Sequence, residues 1–143
     1  MIDAGGIRDR LLALKGDTLK FVGLAADFAS AADQVKTTPA AFVLPSSNRP
    51  GANTAATQFV SQRVTRQFTI VLMFARVGAA GGDQLNAVQA VEDAVVDQMV
   101  GWQPDGFMAP FVYRGGRMLG IDLDAGLIFW GSDFAADYLL RKV

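Results

Sequence analysis

Hydrophobic and polar positions alternate most clearly between residues 64 and 77. Phe68, Ile70, Leu72 and Phe74 fall on one side of an extended chain, and Thr65, Gln67 and Thr69 fall on the other. From Val71 onward the second side turns apolar as well, through Met73, Ala75 and Val77, so the later half of this strand is expected to be covered on both faces. The run is rich in β-branched and aromatic residues, which suit a pleated, packed surface. It is too short, and too closely flanked by polar residues, to cross a bilayer. The pattern predicts the central strand of a sheet.

Helical spacing marks three other segments. Ile7, Leu11 and Leu14 share a face in a short segment ending at Gly16-Asp17, which predicts a first helix. After a brief strand at residues 19–22, Leu24, Phe28, Ala32 and Val35 form a second stripe, closed by Thr37-Thr38-Pro39. Between Asp83 and Val100, Leu85, Val88, Val91, Val95 and Met99 line one side and Asn86, Asp93 and Asp97 the other. Gly101 stands at the C-cap position, and Asp83 suits the positive end of the helix dipole.

The remaining segments read as strands and turns. Ala40–Leu44 is a short apolar strand closed by Pro45, and residues 46–57 carry turn formers without large apolar groups, which predicts a projecting loop. Residues 78–82 predict a flexible connector, and Trp102-Gln103-Pro104-Asp105-Gly106 a tight turn. Phe107–Arg114 is expected to pair with Arg117–Leu123 through a Gly115-Gly116 hairpin turn. A turn at Asp124-Ala125-Gly126 then leads into a long last strand. There Ile128, Trp130, Phe134, Ala136, Tyr138 and Leu140 share one face, and Asp133, Asp137 and Arg141 the other. Neither an internal repeat nor a linker interrupts residues 1–143. The expectation is a single α+β domain: a mainly antiparallel sheet with a C-terminal meander, packed by one long central helix and two shorter N-terminal helices.

Composition narrows the function classes. A chain of 143 residues can bury roughly two-thirds of its unfolded surface. Its charged fraction of 19% is low, which fits either a surface covered by partners or a monomer with a large core. Net charge is −1, so no bulk basic field exists to hold nucleic acid. Cysteine and histidine are both absent, which removes disulfides, thiolate zinc sites, cysteine nucleophiles and imidazole chemistry. The first residues lack a basic segment leading into an apolar one, and a cytosolic product is expected.

Candidate chemistry is sparse. Asp122 and Asp124 lie two apart, as ligands of a divalent metal would on a strand, but Asp124 opens a turn, where aspartate caps its own backbone. Gly78–Gly82 precedes a helix, yet it lacks phosphate-loop spacing and a lysine, and Asp83 would repel an anion. Asp93 and Asp97, one turn apart, read as a solvated helix face. Trp102 and Trp130 read as packing residues. The arginines at 49, 63, 66, 76, 114 and 117 are the groups able to meet acidic partners or line a pore. No set of residues favours catalysis, and neither a cofactor nor a metal is expected.

Taken in order, the pieces carry a resemblance. Gly23-Leu24-Ala25-Ala26-Asp27 follows the first helix, then come Pro39-Ala40-Ala41-Phe42-Val43-Leu44-Pro45, a polar loop, and the strand beginning at Gln62-Arg63. The long helix, Gly101-Trp102-Gln103-Pro104 and Tyr113-Arg114-Gly115-Gly116 complete the series. Over nearly its whole length the chain resembles phage tail terminator proteins of long-tailed phages, of the small type found in Mu-like phages and prophages. The resemblance implies a virion protein, assembled in the host cytoplasm, that forms a homo-hexameric ring on the end of the tail tube. Such a ring ends tube polymerisation and offers the surface that joins the head connector, with DNA only passing through its lumen. Residues 46–57 and Arg49, Asn53, Arg63 and Arg66 are the expected subunit or tube contacts. Two other readings stay open: another neck protein, such as a head-closure or tail-completion factor, and a small ligand-binding or enzymatic α+β domain, which would need a polar-lined pocket.

Overall fold

The computed structural model describes residues 3–28, 38–56, 58–75, 81–124 and 126–142. Its first helix starts at Asp3, whose side chain accepts the Gly6 N–H at 3.1 Å and so satisfies an otherwise orphaned donor. Helix α1 spans Ala4–Leu11, and a 3₁₀ turn at Leu12–Leu14 continues it. Ile7 and Leu11 are buried and Leu14 half-buried, so the predicted stripe is the packed face. Strand β1 (Phe21–Leu24) begins two residues later than expected, because the Leu19 backbone bonds back to the preceding turn, its N–H donating to the Leu14 carbonyl and its carbonyl accepting from the Gly16 N–H. Helix α2 follows at Ala25–Phe28; the rest of the helix expected over residues 24–35 lies outside the described residues.

Four longer strands and one long helix complete the described domain. Strand β2 is Ala40–Pro50, β3 is Val60–Ala75, β4 is Val112–Asp122 and β5 is Leu127–Lys142, while helix α3 spans Gly81–Met99. The sheet order is β1-β2-β3-β5-β4, and among these strands β1 alone pairs in parallel. The fold is therefore α+β with a mainly antiparallel sheet, as the periodicities predict, and β3 is its central strand.

Alternation along β3 divides the core. Phe68, Ile70, Leu72 and Phe74 join Ile128, Phe134, Ala136 and Tyr138 of β5 on one face, where α1 and α3 cover them. From α3 the face receives Val88, Val91, Val95 and Met99 of the predicted stripe; the side chain of Leu85, its first member, lies outside the described residues. On the opposite face Val71 and Met73 meet Ala40, Phe42 and Leu127, with Phe21, Phe28 and Phe129 packed against them. The rings of Phe21 and Phe28 lie 5.8 and 5.4 Å from that of Phe42, and α2 supplies the cover. Both faces of the later half of β3 are thus buried, while the face opposite α1 and α3 turns polar from Thr69 back towards Val60.

Two expectations are corrected. The Gly115-Gly116 hairpin does not form: β4 runs straight through both glycines, paired with β5 on one side. Gly115 has φ +127°, and the register shifts between Tyr113 and Gly115, so its left-handed backbone makes a β-bulge. A hairpin turn and a glycine bulge demand the same backbone freedom, and pairing with β5 decides between them. The meander consequently reduces to the β4–β5 hairpin, and residues 102–111 form an aromatic corner. There Phe111 stacks on Trp102 with ring centres 5.8 Å apart and lies 5.5 Å from Phe107 and 6.2 Å from Phe68. Gly101, at φ +85°, caps α3 as predicted, and its N–H donates to the Phe111 carbonyl at 3.1 Å.

The loop expected at 46–57 is the second correction, since residues 46–50 are strand. Strand β1 pairs with β2 only as far as Val43, so beyond it β2 is an edge, where the missing N–H of Pro45 and Pro50 leaves no ladder bond unmade. The chain reverses after Pro50, and Asn53 pins the reversal. Its Oδ1 accepts from the Ala55 and Ser61 N–H groups at 3.1 and 2.9 Å, and its Nδ2 donates to the Phe59 carbonyl at 3.2 Å.

Phe111 joins the C-cap of α3 to the centre of the sheet. Replacing it by alanine is expected to lower stability by about 3–5 kcal/mol in urea unfolding. An unchanged midpoint would show that the corner is not part of the cooperative core.

Candidate assembly surface

The four residues singled out from the sequence do not converge. Paired residues of an antiparallel ladder share a face, and Arg49 pairs with Thr65, next but one to Arg63. Arg49 and Arg63 therefore stand on the polar sheet face, opposite α1 and α3. Arg66 stands on the other face, donating from Nε to Asn48 Oδ1 at 2.9 Å and lying over the Tyr138 ring at 4.8 Å. Asn53 sits at the turn between β2 and β3, its side chain engaged within that turn.

The polar face carries a repeated arrangement that the strand pattern alone does not announce. Thr65 Oγ1 donates to Asp137 Oδ1 at 2.6 Å, and Arg63 Nε donates to Asp137 Oδ2 at 2.7 Å. Four residues along β3, Thr69 Oγ1 donates to Asp133 Oδ1 at 2.6 Å, while Arg117 of β4 donates to Asp133 Oδ2 at 2.5 Å. Each aspartate thus accepts from one threonine and one arginine across neighbouring strands. Both arginine side chains remain more than half exposed, at 61% and 55%. Ion pairs of this exposure contribute little to stability, so their effect is to hold guanidinium groups upright on the face.

A second polar cluster ties α3 to the sheet. Half-buried Glu92 accepts from Trp130 Nε1 and, at 2.6 Å, from Ser132 Oγ, which is completely buried. The Tyr113 hydroxyl also hydrogen-bonds to Glu92. Gly116 passes beneath this group, where a Cβ would collide with Glu92 Oε2 and come within 2.8 Å of Trp130 Nε1 and Tyr113 Oη. Partial burial, then the neighbouring Glu92 carboxylate, raise the Tyr113 pKa above its ordinary 10.0. Sequence reasoning passed over Glu92; its one signal was a carboxylate flanking the apolar stripe of α3, beside Val91 and Val95.

Strand β4 forms the edge of the sheet beyond β5 and is unusually apolar for an exposed strand. Val112, Met118, Leu119, Ile121 and, past its end, Leu123 are all exposed. A groove of about 280 Å³ runs between Leu119 and Ile121 on this edge and Phe28 and Phe129. A second, of about 300 Å³, lies between the start of α1 and the Pro45–Asn48 bulge, with Arg66 and Phe68 in its wall. Asp122 ends β4 and Asp124 lies in the following turn; among the described residues no three potential metal ligands gather. No described helix is long and apolar enough to cross a membrane.

Among the described residues, this α+β fold leaves a charged sheet face and an apolar strand edge exposed. The family model of the phage tail terminator protein matches residues 1–142, and the chain belongs to that family. It is accordingly a structural protein of the phage tail and neck. The fold is similar to that of a chain in the virion of a native gene transfer agent particle. That similarity has a TM-score of 0.54 at 16% identity and covers 98% of this chain and 100% of the other. No curated protein matches it in sequence.

Two outcomes follow from the Glu92 cluster. Gly116→Ala is expected to lower stability by about 1–3 kcal/mol by displacing Glu92, and to cost much less in a Glu92→Ala background. Equal costs in both backgrounds would separate Gly116 from the cluster. In a Tyr138→Phe chain, absorbance titration should place Tyr113 above 10.0, and Glu92→Gln should bring it down. A raised folded value means stabilisation present below the unfolded pKa and lost as pH rises through the folded one. A Tyr113 midpoint unmoved by Glu92→Gln would contradict the contact.

Proposed function

We propose that the protein forms a homo-hexameric ring on the end of the tail tube, stops tube polymerisation there, and presents the surface to which the head connector attaches. The observation that carries this reading, beside family membership, is the uncovered β4 edge with Val112, Met118, Leu119, Ile121 and Leu123 exposed. Contiguous apolar surface on a free strand is costly for a monomer to leave in water and is relieved when a neighbour covers it. A closed ring built head to tail covers one patch of each subunit with a different patch of the next. Arg49, Asn53, Arg63 and Arg66, with the reversal after Pro50, are proposed to take part in subunit or tube contacts.

In this reading the protein acts in the virion, after assembly in the host bacterial cytoplasm, and its partners are its own copies, the tail tube protein and the head connector. DNA passes through the lumen without being gripped, and the mild net charge of −1 is compatible with that. The test is the mass of the purified protein over a range of concentration and salt, alone and with tail tube protein. A six-fold species, alone or on tube ends, together with shorter tubes, is expected. A monomer that leaves tube length unchanged under every condition would overturn the reading.

A further inference from the structure

Charge is distributed unevenly between the two sides of this subunit. On the polar sheet face Asp133 and Asp137 are held by Arg117 and Arg63, and arginines remain over. Arg49, paired with Thr65, and Arg141, paired with Ser61, stand on the same face. Arg114 lines a shallow cleft there with Val112, Ala135 and Asp137. Arg49, Arg114 and Arg141 are exposed and form no ion pair or hydrogen bond among the described residues. Among the described residues, no helix but α2 packs on this side, near Phe42 and Phe129.

On the opposite side, the helix α3 is acidic, whereas α1 beside it carries Arg8 and Arg10. Helix α3 has Asp83, Glu92, Asp93 and Asp97 as its only charged residues, and none is basic. Glu92 is turned inward to Trp130 and Ser132, whereas Asp93 and Asp97 are exposed. Arg10 of α1 meets the end of α3 through the Gln98 carbonyl at 3.1 Å and lies over Trp102 at 5.1 Å. Each subunit therefore shows unpaired arginines on one side of its sheet and unpaired aspartates on the helix covering the other.

We infer that the arginine-bearing sheet face docks the acidic outer face of α3 from a second copy of this chain. The two patches lie on opposite sides of one subunit, the placement that lets a single contact repeat head to tail from copy to copy. Complementary charge sets which surfaces meet and in which register, while the apolar edge of β4 supplies area to be covered. The contact rests on the ring reading above and names the surfaces that make it.

The experiment swaps charge between the two patches. One variant carries Arg49→Glu with Arg114→Glu; the other carries Asp93→Lys with Asp97→Lys. All four positions are exposed, and urea unfolding checks that both variants fold. Wild-type self-association should weaken as salt rises. Each variant alone should associate on the order of a hundredfold more weakly, since like charges then face each other. An equimolar mixture should recover assembly, because every contact in an alternating ring again joins opposite charges. Masses are read in solution and, with tail tube protein, on tube ends.

If wild type assembles and the variants assemble as well as it does, the surfaces are wrong and the ring reading stands. If each variant fails alone and the mixture also fails, the patches do not face each other. Retention of duplex DNA by wild type, lost in Arg49→Glu with Arg114→Glu while assembly is unchanged, would reassign the arginine face to nucleic acid. A wild-type chain that assembles neither alone nor on tubes removes both the ring reading and the contact built on it.

Discussion

Everything in this domain depends on the pairing of β3 with β5. From Val60 opposite Lys142 to Ala75 opposite Leu127 the ladder runs without a bulge, while both neighbouring ladders contain register shifts. A one-residue slip would invert every side chain of a strand, exchanging Phe68 and Ile70 for Gln67 and Thr69 in the main core. The slip would also part Thr65 from Asp137 and Thr69 from Asp133. Apolar alternation and polar pairing thus favour the same register from opposite faces of the sheet.

The central strand, the long helix and the last strand were legible because each carries a sustained periodicity. Phe68–Phe74, Val88–Met99 and Ile128–Tyr138 all place their apolar residues where the spacing put them. What escaped was decided by neighbours far away in sequence. Gly115-Gly116 satisfies the local requirements of a hairpin turn, and only the presence of β5 alongside makes it a bulge. Ser46–Pro50 has the composition of a loop; it is strand because β3 offers a partner on one side and β1 has already ended on the other. Proline and serine record a local preference, and tertiary pairing overrode it.

The surface was legible only in part. Sequence reasoning picked out arginines, and Arg49 and Arg63 do share the exposed face. It also grouped Arg63 with Arg66, which stand three positions apart and so on opposite sides of the sheet. Asn53 is expected from the sequence as a subunit or tube contact; in the structure its side chain closes the turn between β2 and β3. The paired Thr–Asp–Arg contacts and the Glu92 cluster were invisible because each joins residues more than fifteen apart in the chain. The family, by contrast, was recognisable from the order of short weak segments, although 16% identity to a structural relative leaves few residues in common.

The two borders of the sheet are not equivalent. Beyond Val43, β2 offers an outer border with Pro45 and Pro50 in it, two positions with no amide hydrogen to give, and a bulge between Pro45 and Ser47. The β4 border has no proline from Val112 to Asp122. A copy that added a strand to β4 would need a regular strand to add, and the proline-bearing border of its neighbour is ill suited to supply one. Main-chain pairing of one copy's proline-bearing border with another's β4 border is therefore disfavoured.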